Sequence, residues 1–378
     1  MTKSKRVAIV TSYAPSALSF RGDLISALVQ KGCCVHVLAP DHSIETKERL
    51  RLIGASSADY YLSRSGASPF LDLRSLFSIL RIFFLVRPDV ALTYFIKPNI
   101  WGIIAAAMAG IPRRIAMIEG MGYCFTPNAS GYRSFKQLLL GWLILRLYQL
   151  AFMAANQVIV LNPDDMNELR YKCYLRPSKT ILLGGIGVSL DQWSNHHPHL
   201  SPITFTMVAR LLREKGVFEF LNAAQIIKSE FPLVRFLLLG GLDDNPGAIG
   251  RKDLQPWVEM GCVDILGHVD VMPYLRITSV FVLPSYYREG VPRSTQEAMA
   301  MGRAVITTDA PGCRETVLDN VNGFLVPPRD SSALAQAMKR FIMRPEMIAQ
   351  MGRESRLLAE ERFDVHRANA KIMEALGI

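Results

Sequence analysis

Short apolar runs rich in Val, Ile and Leu recur along this chain, separated by longer stretches with helical spacing. Runs at 6–10, 35–39, 90–94, 114–118 and 157–161 read as buried strands. A second series at 203–208, 234–239, 263–266, 280–283 and 304–308 repeats the plan. Strands alternating with helices indicate βαβ units and a parallel sheet. A Ser/Ala/Pro loop is expected at 12–19, then a helix over about 20–31 ended by Gly32, and another helix over 217–230. The stretch 194–202, rich in His, Pro and Ser, reads as a linker. The expected class is therefore α/β, with two Rossmann-like doubly wound domains, 1–195 and 200–363, facing a cleft. A final helix within 364–378 is free to pack on either domain, including a return to the first.

Two apolar stretches, 77–87 and 135–152, are punctuated by single cations. Neither reaches the roughly 20 uncharged residues that span a bilayer. Each reads as a buried helix or as one lying at a lipid interface, a role that would suit Trp142, Lys136 and Arg146. Charge sharpens this. The chain carries a net +10, yet residues 1–190 hold 22 Lys and Arg against 11 Asp and Glu, and the remainder 21 against 22. The whole basic excess thus lies in the first half, which fits nucleic acid, an anionic membrane surface or a phosphorylated substrate, and equally a solvated surface that is simply basic. Aromatic interleaving typical of single-strand binders is missing, so no nucleic-acid partner is expected.

Six cysteines show neither a CxxC pair nor zinc spacing, as in a reduced cytosolic protein. The opening residues are charged and then only briefly apolar, unlike a secretory signal. His196-His-Pro-His199 reads as linker, Asp243-Asp244 as part of a turn, and Gly184-Gly-Ile-Gly187 as a turn near a hinge. No metal site and no cofactor are expected.

The densest chemistry is at 284–302, Pro-Ser-Tyr-Tyr-Arg-Glu-Gly-Val-Pro-Arg-Ser-Thr-Gln-Glu-Ala-Met-Ala-Met-Gly. A strand leads into a loop, and a helix starts near Arg293, with Pro292 in its first turn and the Ser294 and Thr295 hydroxyls at hand. Unpaired amides at such a helix start attract a phosphate. Glu289 on the loop and Glu297 in the helix do not suit the phosphate itself; they suit hydroxyls of a sugar and a ribose attached to it. A second cluster, Ala209-Arg-Leu-Leu-Arg-Glu-Lys-Gly216, places Arg210 and Lys215 after another strand, where two cations can clamp a diphosphate.

These motifs, with Leu239-Gly-Gly241, Leu266-Gly-His268, Thr308-Asp-Ala-Pro-Gly312, Glu315 and Asn322-Gly-Phe-Leu-Val326, resemble the retaining glycosyltransferases of family 4. The resemblance covers nearly the whole chain and is most specific over 205–330. It implies a GT-B fold, a nucleotide-sugar donor in the second domain and an acceptor in the first. Carried across, Arg210 and Lys215 neutralise the donor diphosphate, Glu289 contacts the transferred sugar and Glu297 the ribose. Gly290, Val291, Pro292, Arg293 and Ser294 meet the phosphates and sugar, and Gly267, His268 and Val269 border the base. The leaving diphosphate is then stabilised electrostatically without a metal.

Ser12, Phe20-Arg21, Lys97-Pro-Asn-Ile-Trp-Gly102 and Glu119-Gly-Met-Gly122 are similar to bacterial enzymes that extend sugars on undecaprenyl diphosphate, a group that includes N-acetylgalactosaminyltransferases acting on lipid-linked diacetylbacillosamine. The implied acceptor is a polyprenyl-diphosphate-linked saccharide, met by Ser16, Arg21, Lys97, Gly120 and Gly122 at the cytoplasmic face of the membrane. An N-acetylhexosamine from UDP is the favoured donor. Two departures stand out. Glu119 occupies the place where many family members carry a cleft histidine, and either takes part in the chemistry or caps the loop. The spacer Tyr286-Tyr287-Arg288 looks one residue longer than usual. A nucleotide-sugar 2-epimerase of the same fold and a non-catalytic sugar-nucleotide-binding partner of a glycan assembly complex are the alternative readings.

Overall fold

The computed structural model describes residues 4–63, 68–128, 130–242, 245 and 247–378. The Asp243-Asp244 turn lies outside the described residues. The chain forms two compact units. The first comprises 1–120, 135–186 and 365–378; the second comprises 121–134 and 187–364. The second unit therefore begins before the Ser- and Pro-rich stretch at 194–202. It also includes a segment, 121–134, from the middle of the first half.

The first unit holds seven parallel strands: β1 Arg6–Val10, β2 Cys34–Ala39, β3 Ser56–Asp59, β4 Val90–Tyr94, β5 Arg113–Ile118, β6 Gln157–Val160 and β7 Thr180–Leu182. Their order is β3-β2-β1-β4-β5-β6-β7. Val7 to Val10, Leu92 and Ile115 to Met117 are fully buried, as expected for strands covered on both faces. The loop expected at 12–19 is instead a short helix, Ala14–Ser19, whose first turn takes Pro15. A second helix follows at Gly22–Gln30. The last helix, Val365–Leu376, belongs to this unit, and Arg113 Nε donates to the Ala375 carbonyl at 2.8 Å.

Two apolar helices of this unit keep one face wet. In the helix Pro69–Val86, Ile79 and Phe83 are buried while Phe70, Phe77, Phe84 and Leu85 are exposed. In the helix Phe135–Ala154, Tyr148, Ala151 and Phe152 are buried while Phe135, Leu139, Trp142, Leu150 and Met153 are exposed. By length and composition alone the second is long and apolar enough to cross a membrane, with a mean hydropathy of 1.4.

The second unit holds β8 Thr204–Val208, β9 Arg235–Leu239, β10 Asp264–Gly267, β11 Val280–Leu283, β12 Ala304–Thr308 and β13 Gly323–Val326. All are parallel, in the order β10-β9-β8-β11-β12-β13. Counted within the unit, this is the 3-2-1-4-5-6 order of a dinucleotide-binding fold. Strand order reverses between β8 and β11, the place in such a sheet where ligands bind beyond the strand ends. Residues 209–216 and 284–292 are the loops leaving those two strands.

Candidate active site

Gly216 joins the two loops. After the short 3-10 turn Arg213–Lys215, it takes φ 79 and starts the helix Val217–Glu230. A methyl group there would come within 2.1 Å of the Pro284 carbonyl oxygen, so only glycine allows the loops to approach this closely. The Glu214 carbonyl stitches them together by accepting the Tyr286 and Tyr287 amides at 2.9 and 3.0 Å. Lys215 and the 284–289 loop are thereby fixed on one support.

Lys215 Nζ lies 2.7 Å from Glu289 Oε2, and Ser285 Oγ donates to Glu289 Oε1 at 2.7 Å. The Lys215 and Glu289 side chains are only 12% and 9% exposed. Both carboxylate oxygens are thus engaged and the charge is matched, which a buried carboxylate requires. Cys313 is buried beside this pair; burial first, then the Glu289 charge, pushes its thiol up to about 12, so it is an uncharged packing group. Gly312 has φ 79 and lies against the Glu289 and Gly290 carbonyls, closing the loop from below. Arg210 is exposed at the end of β8. Burial raises the Tyr287 phenol, and the Arg210 charge is the largest effect opposing that rise.

The helix Arg293–Ala300 begins as expected, except that Pro292 is the capping residue just outside the first turn. Arg293 Nε donates to Glu297 Oε1 at 2.9 Å, one helical turn on. Burial pushes the Glu297 carboxyl up, and the Arg293 guanidinium works against that shift. Gly290, Val291 and Pro292 are buried, whereas Arg293 and Ser294 are half-buried. Gly267 ends β10 at φ 72, followed by exposed His268 and half-buried Val269. The second unit thus gathers two cations and Glu289 at one strand-order reversal, with Glu297 on the adjoining helix.

In the first unit, Ser16, Arg21 and Glu119 also come together. Arg21 is buried, forms an ion pair with Glu119 and lies over the Tyr94 ring at 5.2 Å. Ser16 Oγ is 3.1 Å from the Tyr94 hydroxyl and 3.1 Å from Thr11 Oγ1. Burial raises the Tyr94 phenol to about 12. Lys97 is separate from this cluster, donating to Asp72 at 2.8 Å and to the Ser63 carbonyl at 2.6 Å. Gly120 takes φ 110 just after Glu119. Gly122 falls in the second unit, where its amide donates to the Arg288 carbonyl at 3.0 Å.

In the sequence Ser285 is only part of the strand-end motif, and nothing marks Thr126, whose hydroxyl accepts the Arg288 amide at 3.0 Å. A Pro-Ser pair ending a strand is a usable signal for the first. The second contacts a partner 162 positions away. Among the described residues no cluster of His, Cys, Asp or Glu has the makings of a metal site.

Two Rossmann-like parallel sheets, one with two cations and Glu289 at its switch point and Glu297 on the adjoining helix, have the architecture of the GT-B class. Residues 202–344 match the family described as "Glycosyl transferases group 1". The chain is 30% identical over 346 residues to the N,N'-diacetylbacillosaminyl-diphospho-undecaprenol alpha-1,3-N-acetylgalactosaminyltransferase of Campylobacter jejuni, covering 88% of each protein. It is 24% identical to a capsular polysaccharide biosynthesis glycosyltransferase of Staphylococcus aureus, over 96% of this chain and 94% of that one. A solved structure from Anabaena in complex with UDP superposes with a TM-score of 0.75 at 18% identity, covering 98% of this chain and 99% of the other. The chain belongs to the group 1 glycosyltransferases.

Proposed function

We propose that this glycosyltransferase moves a sugar, an N-acetylhexosamine from UDP, onto a polyprenyl-diphosphate-linked saccharide with retention of configuration. The observation that carries the donor half is the meeting of Lys215 and Glu289 at the switch point, with Arg210 on the same loop as Lys215. A donor diphosphate entering there competes for the Lys215 ammonium, and Glu289 Oε2 turns to the hydroxyls of the moving sugar. Arg210, Lys215 and the amides at the start of helix Arg293–Ala300 take up the charge that grows on the leaving group. The bond from the anomeric carbon to the donor phosphate breaks as the acceptor oxygen bonds to that carbon from the same face. The acceptor proton passes to the departing phosphate oxygen. The products are the nucleoside diphosphate and a lipid-linked saccharide one sugar longer. Glu297 holds the ribose.

The acceptor half rests on the Campylobacter relative, which acts on an undecaprenol-linked saccharide by its name. It rests also on the basic first half and its two half-exposed apolar helices. Arg21, Glu119, Ser16 and Gly120 line the proposed acceptor side, with Lys97, apart from that cluster, as a cation for the lipid diphosphate. The enzyme then works from the inner surface of the membrane as a peripheral protein. The test is incubation with a panel of nucleotide sugars and polyprenyl-diphosphate monosaccharides, with products weighed by mass spectrometry. One N-acetylhexosamine added to a lipid-linked sugar is expected. Free monosaccharide or an epimerised nucleotide sugar as the sole product would refute the reading.

A further inference from the structure

We infer that Thr126 is a positioning residue for Glu289, acting through the backbone of Arg288; the inference rests on the reading of Glu289 as the sugar-facing carboxylate. Thr126 is 1% exposed. Its hydroxyl donates to the Gly122 carbonyl at 3.1 Å and accepts the Arg288 amide at 3.0 Å. The Gly122 amide in turn donates to the Arg288 carbonyl at 3.0 Å. Both main-chain groups of the residue before Glu289 are therefore held by one small turn, 122–126.

That turn has a second attachment. Arg329 donates to the Pro127 carbonyl at 3.0 Å while its guanidinium lies 4.1 Å over the Tyr286 ring. Arg329 sits at φ 64, uncommon outside glycine, and so is held there by what surrounds it. On the other flank, the Glu214 carbonyl takes the Tyr286 and Tyr287 amides, and the Glu289 amide closes back onto the Tyr287 carbonyl at 2.8 Å. The loop from Tyr286 to Glu289 is thus clamped from both sides. The long spacer noted in the sequence brings extra main-chain donors and acceptors that need partners, and the 122–127 turn supplies them. Lys215 and Ser285 set the tip of Glu289, and Thr126 sets the backbone from which it projects.

Thr126→Val keeps the shape and removes both hydroxyl bonds, so the Arg288 amide is released and Glu289 shifts. The expected result with the donor identified by the product panel is a fall in kcat between about tenfold and a hundredfold. The affinity for the nucleoside diphosphate, which lacks the sugar, is expected to stay within about twofold, because the proposed diphosphate and ribose contacts are made by other residues. Thr126→Ser, which retains the oxygen, restores kcat. A general loss of packing would not give this split or this rescue. Should Thr126→Val fail to fold, Arg329→Met decides, with the same loss of kcat at unchanged nucleotide affinity expected. Glu289→Gln is the control. If it turns over normally, the site reading itself falls. If it is inactive while Thr126→Val or Arg329→Met keeps wild-type kcat, or if Thr126→Ser does not recover, the positioning role is wrong.

Discussion

Glu297 is a carboxylate where burial disfavours charge, and its partner Arg293 offsets only part of that cost. A carboxyl whose folded pKa is raised stabilises the fold most below its unfolded value and loses that contribution as pH climbs through the folded one. Glu297→Gln is therefore expected to be at least as stable as the parent at pH 7, the difference shrinking as pH falls through the raised folded value toward the ordinary carboxylate range. Donor binding should be lost at all pH values. Thermal melts from pH 4 to 8 check this, and a variant much less stable at neutral pH would contradict it. Lys215 is the opposite case, since its removal leaves Glu289 buried with Ser285. Lys215→Ala is expected to abolish detectable transfer and to cost about 3 kcal/mol while the protein still folds. Adding Glu289→Gln to it should recover part of the stability and none of the activity, a double-mutant cycle readable by urea titration. That Arg210, Lys215 and Glu289 lie near one another was readable because strand-end loops carry them, and Glu297 because it lies in the helix that follows. Ser285 and Thr126 were not, since their meaning comes from what the fold brings near them.

Among the elements, strands with continuous apolar runs were legible, and the structure adds ones that lack such runs. β3, Ser56-Ser57-Ala58-Asp59, sits at a sheet edge and has too little apolar content to announce itself. β7, only three residues long, is the opposite edge. The helix at Ala14–Ser19 was hidden by its Ser, Ala and Pro content, which a loop shares. Gly216 is where one element hands over to the next, and Gly216→Ala should cost about 2 kcal/mol or more, from the left-handed backbone and the overlap with Pro284. A calorimetric melt within a degree of the parent would show that the two loops are not packed as described. The helix Phe135–Ala154 has its exposed apolar face beside Lys136 and Arg146, which suits the proposed docking on an anionic bilayer by charge and shallow burial together. Phe135→Ser with Trp142→Ser should reduce co-sedimentation with anionic vesicles at low salt, and Lys136→Gln with Arg146→Gln should make the residual binding less salt-sensitive. No sedimentation of the parent protein at low salt would remove the membrane from the proposal.

At the scale of the molecule, the chain passes between its two units at 120/121, 134/135, 186/187 and 364/365. Two Rossmann-like repeats were legible as two series of apolar runs, but this interleaving was not, because periodicity identifies elements and says nothing of which sheet a distant segment joins. The final helix shows the consequence. Val365, Ile372 and Leu376 are at most 4% exposed, and Ala375 accepts from Arg113, the first residue of β5. Burying three such side chains contributes on the order of 5 kcal/mol, as much as the whole margin of many domains. Removing 365–378 should therefore weaken the first unit, although the deletion is made at the end of the second unit's sequence. Hydrogen exchange resolves the two cases. Amides of Ile115 to Met117 in β5 are expected to lose protection, whereas those of Val305 to Thr307 in β12 keep theirs. Protection lost first in β12, or unchanged in β5, would mean that this helix is not part of the first unit's core.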